Sequence, residues 1–155
     1  MLFLLLGIAF QTAAPAPPNP AAYLEFFRWA QRQVDAAVTG TVNGLLPKVT
    51  KSALSEILDI HPDETESLLR IAPLCVTEIN QLDEASGPVI FQSRLELTDN
   101  GRISDTTAAL LKSIEARRTT IILNCVQQTR TMLGDDAFRH VNDYVRSHAS
   151  ALVTK

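Results

Sequence analysis

From residue 21 onward, apolar side chains recur every three or four positions, the spacing of one face of an α-helix. The first apolar stripe consists of Tyr23, Phe27, Ala30, Val34 and Ala37. Gly40 follows, where a glycine commonly ends a helix. A second, short helix is predicted at residues 51–58. It stops before the His61-Pro62 pair, because a residue that precedes proline is disfavoured in the helical region.

Pro62 suits the first position of a third helix, predicted at residues 62–84, whose first turn is acidic. Its apolar stripe consists of Leu68, Ala72, Cys75, Ile79 and Leu82. Pro73 lies inside this helix, and we expect a kink or a break near Arg70. The pair Gly87-Pro88 predicts another interruption. Residues 89–97 are compatible with a helix or a strand, and we assign them to a helix because no partner strand is evident elsewhere.

A turn at residues 98–101 precedes the longest predicted helix, residues 106–133, which Ser104 or Asp105 would cap. Gly134 is predicted to close that helix and to separate it from a last one. The inward positions of these two helices are Leu110, Leu111, Ile114, Ile121, Ile122, Cys125, Val126, Met132, Phe138, Val141, Tyr144 and Val145. The pattern therefore predicts an all-α fold, a single small bundle of about five helices.

The N-terminus has a different pattern. Residues 2–10 are uninterrupted apolar and are followed by small residues, which is typical of a secretory signal peptide. Nine apolar residues are too few for a stable membrane span. We therefore predict a signal peptide at 1–14, a proline-rich linker at 15–20 and a helical domain at 21–150. The alternative is a buried N-terminal helix, which the four prolines between residues 15 and 20 disfavour.

The chain has two cysteines, Cys75 and Cys125, and each lies on the apolar stripe of a long predicted helix. If these helices pack antiparallel, the two thiols can meet and form one inter-helix disulfide in an oxidising compartment. The alternative is a pair of separate buried thiols. Because the signal peptide predicts export, we favour the disulfide and a periplasmic or secreted location.

Composition and charge exclude several classes of function. The net charge is −3, and the 14 basic residues are scattered, so no basic patch suggests binding to nucleic acid. No nucleotide-binding, redox or hydrolase motif is present, which predicts a non-enzyme without a cofactor. A weak metal-ligand pattern comes from Asp136, His140 and Asp143, which can share a helix face. Ordinary pairing on a solvated face is the favoured explanation of that pattern.

Two other features stand out for binding. The first predicted helix carries aromatic residues on more than one side, so Phe26 and Trp29 are predicted to form an exposed interaction surface, or else to be buried centrally or in a homodimer. Arg118 lies near the inward stripe of the longest helix and is the candidate for a buried charge. In architecture the chain resembles the small periplasmic helical chaperones, but their LTxxQ motif is absent, because Leu97-Thr98 is followed by Asp-Asn-Gly.

The sequence therefore favours an exported, non-catalytic helical protein that binds a protein or peptide through apolar helix surface. The alternative is a carrier of a small ligand or metal in a cavity among the helices, for which Arg118 or His140 would supply polar groups.

Overall fold

The computed structural model describes residues 18–39 and 48–153, and within these ranges the fold is an all-α bundle of four helices. The helices are α1 (Pro20–Thr39), α2 (Lys48–Leu58), α3 (Pro62–Asn100) and α4 (Asp105–Val153). The bundle thus has four helices where the sequence predicted about five. The predicted signal peptide, residues 1–14, lies outside the described residues, and so do residues 15–17 of the predicted linker.

The long helices α3 and α4 form an antiparallel hairpin, and α1 packs against both of them. Cys75 on α3 and Cys125 on α4 are joined by a disulfide that spans 50 residues, with their Cα atoms 6.0 Å apart. The predicted inter-helix disulfide is therefore confirmed. Both cysteines are buried, so the bond lies within the core that it cross-links.

Helix α3 begins and ends with well-defined caps. His61 is the N-cap, its backbone N–H donates to Glu64 at 2.7 Å, and Pro62 occupies the first turn as predicted. Gly101 adopts a left-handed conformation with φ of 68° and its N–H donates to the carbonyl of Leu97 at 3.0 Å. These local interactions fix where the helix starts and stops.

Helix α3 continues through both prolines, so a break near Arg70 and an interruption at Gly87-Pro88 are both wrong as predictions, whereas the helix assigned to residues 89–97 is confirmed. Pro88 and the residue four positions before it, Glu84, are both exposed. Water can therefore satisfy the carbonyl that Pro88 leaves without a hydrogen-bond donor. The lost hydrogen bond therefore leaves no buried polar group unsatisfied, and no additional apolar contacts are needed to offset its cost.

The predicted boundary at Gly134 is present as a kink inside α4 rather than as a loop. Gly134 has φ of 80° and ψ of 166°, values outside the helical region that glycine adopts without a Cβ clash. The helical hydrogen bonding resumes at once on the far side, so α4 counts as one element of 49 residues. The kink turns the last part of α4 onto α1.

The core lies where α1 packs on the hairpin. It includes the fully buried rings of Tyr23, Phe26 and Phe27, and the predicted stripe of α3 is buried from Leu68 to Leu82. Tyr23 also donates a hydrogen bond from its hydroxyl to Asn142 at 2.8 Å. Among the described residues, no helix is long and apolar enough to cross a membrane.

Candidate functional site

The hairpin divides into two regions with different interiors. We call residues 83–120 the arm, and the rest of the described chain the base. The base contains every buried apolar side chain among the described residues, and on the hairpin these end at Leu82 on α3 and begin again at Ile121 on α4. The arm therefore extends beyond the core that holds the base together.

The buried positions of the arm are polar. Its described side chains include three that are buried, Ser86, Ser93 and Thr107, and none of its apolar side chains is. Ser86 and Ser93 donate their hydroxyls to helix carbonyls of Leu82 and Ile90, at 2.6 Å and 2.8 Å. A seam of small hydroxyl side chains satisfies its own polar groups and buries little apolar area.

Large apolar side chains of the arm instead face solvent. The four exposed ones are Phe91 (63%), Leu95 (41%), Leu97 (49%) and Leu110 (48%). Phe91 and Leu95 are four positions apart, so they share one face of α3. Half-buried neighbours add apolar area beside the seam, namely Val89, Ile90, Ile103, Leu111 and Ile114.

Exposed apolar residues also occur on the base, but they are spread over three helices. They are Ile57 on α2, Leu74 on α3, and Leu123 and Met132 on α4, so the inward position predicted for Met132 is wrong. Single exposed apolar residues are ordinary on a protein surface, whereas adjacent ones, such as Phe91 and Leu95 on the arm, are typical of interaction sites. The arm combines exposed apolar side chains on both of its helices with a polar interior, and it is the best candidate for a functional surface in the described chain.

A carboxylate holds the tip of the arm in place. Glu96 accepts hydrogen bonds from the backbone N–H of Ser104 at 2.8 Å and from the hydroxyl of Thr107 at 2.8 Å. These hydrogen bonds lower the pKa of Glu96 to about 2, and the bond from the Ser104 backbone contributes most. Ser104 in turn caps α4, accepting from the N–H of Thr107 at 3.3 Å. The turn between the helices is thus fixed by polar contacts.

An ion pair lies at the junction of arm and base. The guanidinium of Arg118 on α4 contacts the carboxylate of Asp83 on α3 and lies 3.5 Å from Glu115. The Arg118 side chain is 28% exposed, so the predicted buried charge is half-buried. Its Nε atom is buried without a hydrogen-bond partner among the described residues. The arginine therefore acts as an interhelical bridge.

The aromatic residues predicted as an exposed surface lie elsewhere. Phe26 is fully buried in the base, which corrects the expectation that it is exposed. Trp29 is half-buried and stacks on Tyr144, with ring centroids 5.5 Å apart. Both α3 and α4 pack on α1, so the buried face of α1 is wider than a single apolar stripe. Phe26 therefore follows the alternative that the sequence analysis left open, in which it is buried centrally.

The three residues of the weak metal-ligand pattern do not converge. Asp136 forms an ion pair with Arg139 at 2.6 Å, and His140 lies 3.3 Å from Asp59. Asp143 lies near Tyr23, where it adds to the effect of burial in raising the pKa of that phenol. The described part of the chain contains no group of three His, Cys, Asp or Glu side chains placed to hold a metal ion.

Sequence reasoning missed two features of the arm. It took Leu110 as an inward residue, but the side chain is about half exposed. It did not identify Glu96, whose partners lie eight and eleven positions later across the turn. No helical spacing rule links an acid to residues beyond the end of its own helix.

Comparison with known proteins identifies no relative: no family model, no curated protein and no solved structure matches the chain.

Proposed function

We propose that this chain is an exported, non-catalytic helical protein that binds a protein or peptide partner through the apolar surface of its arm. The observation that carries the proposal is the reversal of burial in the arm, where Ser86, Ser93 and Thr107 are buried while Phe91 and Leu110 are exposed. When a partner covers exposed apolar area of this kind, its removal from water lowers the free energy and favours binding.

The disulfide supports the location. Disulfides persist in oxidising compartments and are rare in the cytosol. The Cys75–Cys125 bond therefore agrees with a periplasmic or secreted protein, as the apolar N-terminal segment predicts. Mass spectrometry of the protein isolated from its host tests this part: a chain that begins near residue 15 and alkylates only after reduction supports export, and a full-length chain with free thiols contradicts it.

Site-specific photo-crosslinking tests the binding surface. A photoreactive amino acid is placed at position 95 on the arm, and at position 74 on the base as the matched control. Leu74 is the more exposed of the two, at 70% against 41%, and it lies on the same helix. The control therefore has at least the same access to solvent.

We expect a defined adduct from position 95, absent from position 74, that disappears when Phe91→Glu and Leu110→Glu are introduced together. Equal labelling from both positions, or no adduct from the arm, would contradict the proposal. The mass of the adduct also identifies the class of partner, because a second copy of the chain doubles the mass and a different protein does not.

A further inference from the structure

We propose that the Asn100-Gly101 pair at the tip of the arm is a site of spontaneous deamidation, and that the C-terminal cap of α3 restrains the reaction while the tip is closed. The product carries an acid at position 100 in place of the amide. The modification needs no partner, so it does not depend on the binding function proposed above.

An asparagine that precedes glycine can react with its own backbone, because glycine has no side chain to hinder the attack. The backbone nitrogen of Gly101 bonds to Cγ of Asn100 and gives up its proton, and the side-chain amide leaves as ammonia. The cyclic imide that results takes up one water molecule. Opening of the ring at one carbonyl yields aspartate, and opening at the other yields isoaspartate, in which the main chain runs through the former side chain. Water is the only co-reactant.

The Asn100 side chain is accessible for this reaction. Asn100 is the last residue of α3 and is exposed, and no hydrogen bond among the described residues holds its side-chain amide. Beyond the chain neighbours of Gly101, no atom of the described residues lies within 4 Å of the place where a Cβ would stand, so the glycine is not crowded. A second Asn-Gly pair, 43–44, lies outside the described residues.

The cap of α3 opposes ring closure in the closed tip. The N–H of Gly101 donates to the carbonyl of Leu97 at 3.0 Å, so the attacking nitrogen is held by a hydrogen bond. Asn100 is helical, and a helical ψ turns the Gly101 nitrogen out of the plane that the ring requires. This hydrogen bond must therefore break, and Asn100 must leave the helix, before the ring can close. The bond from the Ser104 N–H to Glu96 holds the same turn and opposes the opening as well.

Both products weaken the cap, and neither reverts to asparagine. An aspartate adds a negative charge to the last turn of α3, where the helix dipole disfavours acids. An isoaspartate adds an atom to the main chain between positions 100 and 101, so the Gly101 N–H is displaced from its helical register with Leu97. Each modified molecule therefore has a tip that opens more readily than before.

Peptide mapping by mass spectrometry tests the proposal on the purified, oxidised chain at neutral pH. The mass change of amide-to-acid conversion is followed at position 100, separately from position 43. The reduced chain in guanidinium chloride gives the rate without the cap. Glu96→Ala removes the carboxylate that holds the turn, and Glu84→Ala is the matched control, because it removes an exposed acid from the same helix. Asn100→Gln should abolish the conversion, since glutamine forms the corresponding ring far more slowly.

Position 100 of the folded wild type and of Glu84→Ala should convert about tenfold or more slowly than in the unfolded chain, because the tip must open first. Glu96→Ala should convert at least roughly threefold faster than either folded protein. A folded wild type that converts as fast as the unfolded chain, or a Glu96→Ala variant as slow as Glu84→Ala, would overturn the proposal.

The converted wild type can also be separated by ion exchange and compared with the unconverted protein by hydrogen exchange. Amides at residues 97–107 should exchange faster after conversion, while the amide of Val141 in the base should be unchanged. Equal exchange at the tip before and after conversion would show that the product does not weaken the cap, and would contradict that part of the proposal.

Discussion

Base and arm are built from the same two helices but are held together in different ways. In the base, α1 adds a third layer, and rings such as Phe26 and Tyr23 are removed from water on all sides. In the arm, the buried positions of α3 and α4 are the small side chains of Ser86, Ser93 and Thr107. A pair of helices covers a side chain on fewer sides than three packed helices do, and the large apolar side chains of the arm are exposed or half-buried.

The difference shows how one helix can serve two purposes. Most helical stability in proteins comes from packing of an apolar face rather than from intrinsic propensity. The base supplies that packing, together with the Cys75–Cys125 cross-link. The arm relies on caps, on the Glu96 hydrogen bonds and on continuity with the base. We therefore expect the arm to open with a smaller free energy than the base.

The largest contrast should come from truncating one phenylalanine in each region. Phe26→Ala leaves a cavity in the base, and we expect it to lower the free energy of unfolding by about 3–5 kcal/mol. Phe91→Ala removes a side chain that is 63% exposed, and should change that free energy by about 0.5 kcal/mol or less. Urea denaturation of both variants measures the difference. Equal losses would show that the arm has an apolar core of its own.

Removal of the disulfide should have the next largest effect. Closing a loop of 50 residues stabilises a fold by about 4 kcal/mol on the chain-entropy model, so the double variant Cys75→Ala, Cys125→Ala should lose roughly that amount. Thermal unfolding compares this variant with the wild type, oxidised and reduced. An oxidised wild type no more stable than the reduced one would contradict the structural role of the bond.

The junction of the two regions should contribute less. A double-mutant cycle with Asp83→Ala and Arg118→Ala should give a coupling free energy of about 0.5–1 kcal/mol, because the pair is only partly shielded from water. Glu115→Ala is the control: this carboxylate is 67% exposed and 3.5 Å from Arg118, so we expect a coupling of a few tenths of a kcal/mol. A cycle in which Glu115 couples more strongly than Asp83 would disprove the assigned bridge.

The smallest effect should be confined to the tip. The pKa of Glu96 is lowered from 4.5 to about 2, so its hydrogen bonds stabilise the turn above pH 4.5 and are lost as the pH falls through about 2. The NMR signal of the Ser104 amide should therefore titrate with a midpoint near 2, and Glu96→Gln should abolish that transition. A midpoint near 4.5 would mean that the carboxylate is free.

The sequence predicted the base better than the arm, for a physical reason. Positions such as Leu68, Ala72 and Cys75 follow helical spacing because one face of α3 packs on neighbours throughout the base. Spacing alone could not show how widely α1 is enclosed, so the burial of Phe26 was missed. That burial depends on the positions of two other helices.

In the arm, local rules suggested breaks that did not occur. Gly87 and Pro88 are usual signs of a turn, yet α3 continues because the freed carbonyl lies on its exposed side. The inward assignment of Leu110 assumed that helical spacing always points toward a core. Where the core ends, the same spacing places the residue beside a narrow polar seam.

Native-state hydrogen exchange of the dilute, oxidised protein tests the division into base and arm most directly. Amides around Cys75, Cys125 and Val141 should exchange only through global unfolding. Amides at residues 86–98 and 106–117 should exchange through a local opening of lower free energy, with little dependence on denaturant. Arm amides that match the base in both free energy and denaturant dependence would show a single cooperative unit, and would contradict the account.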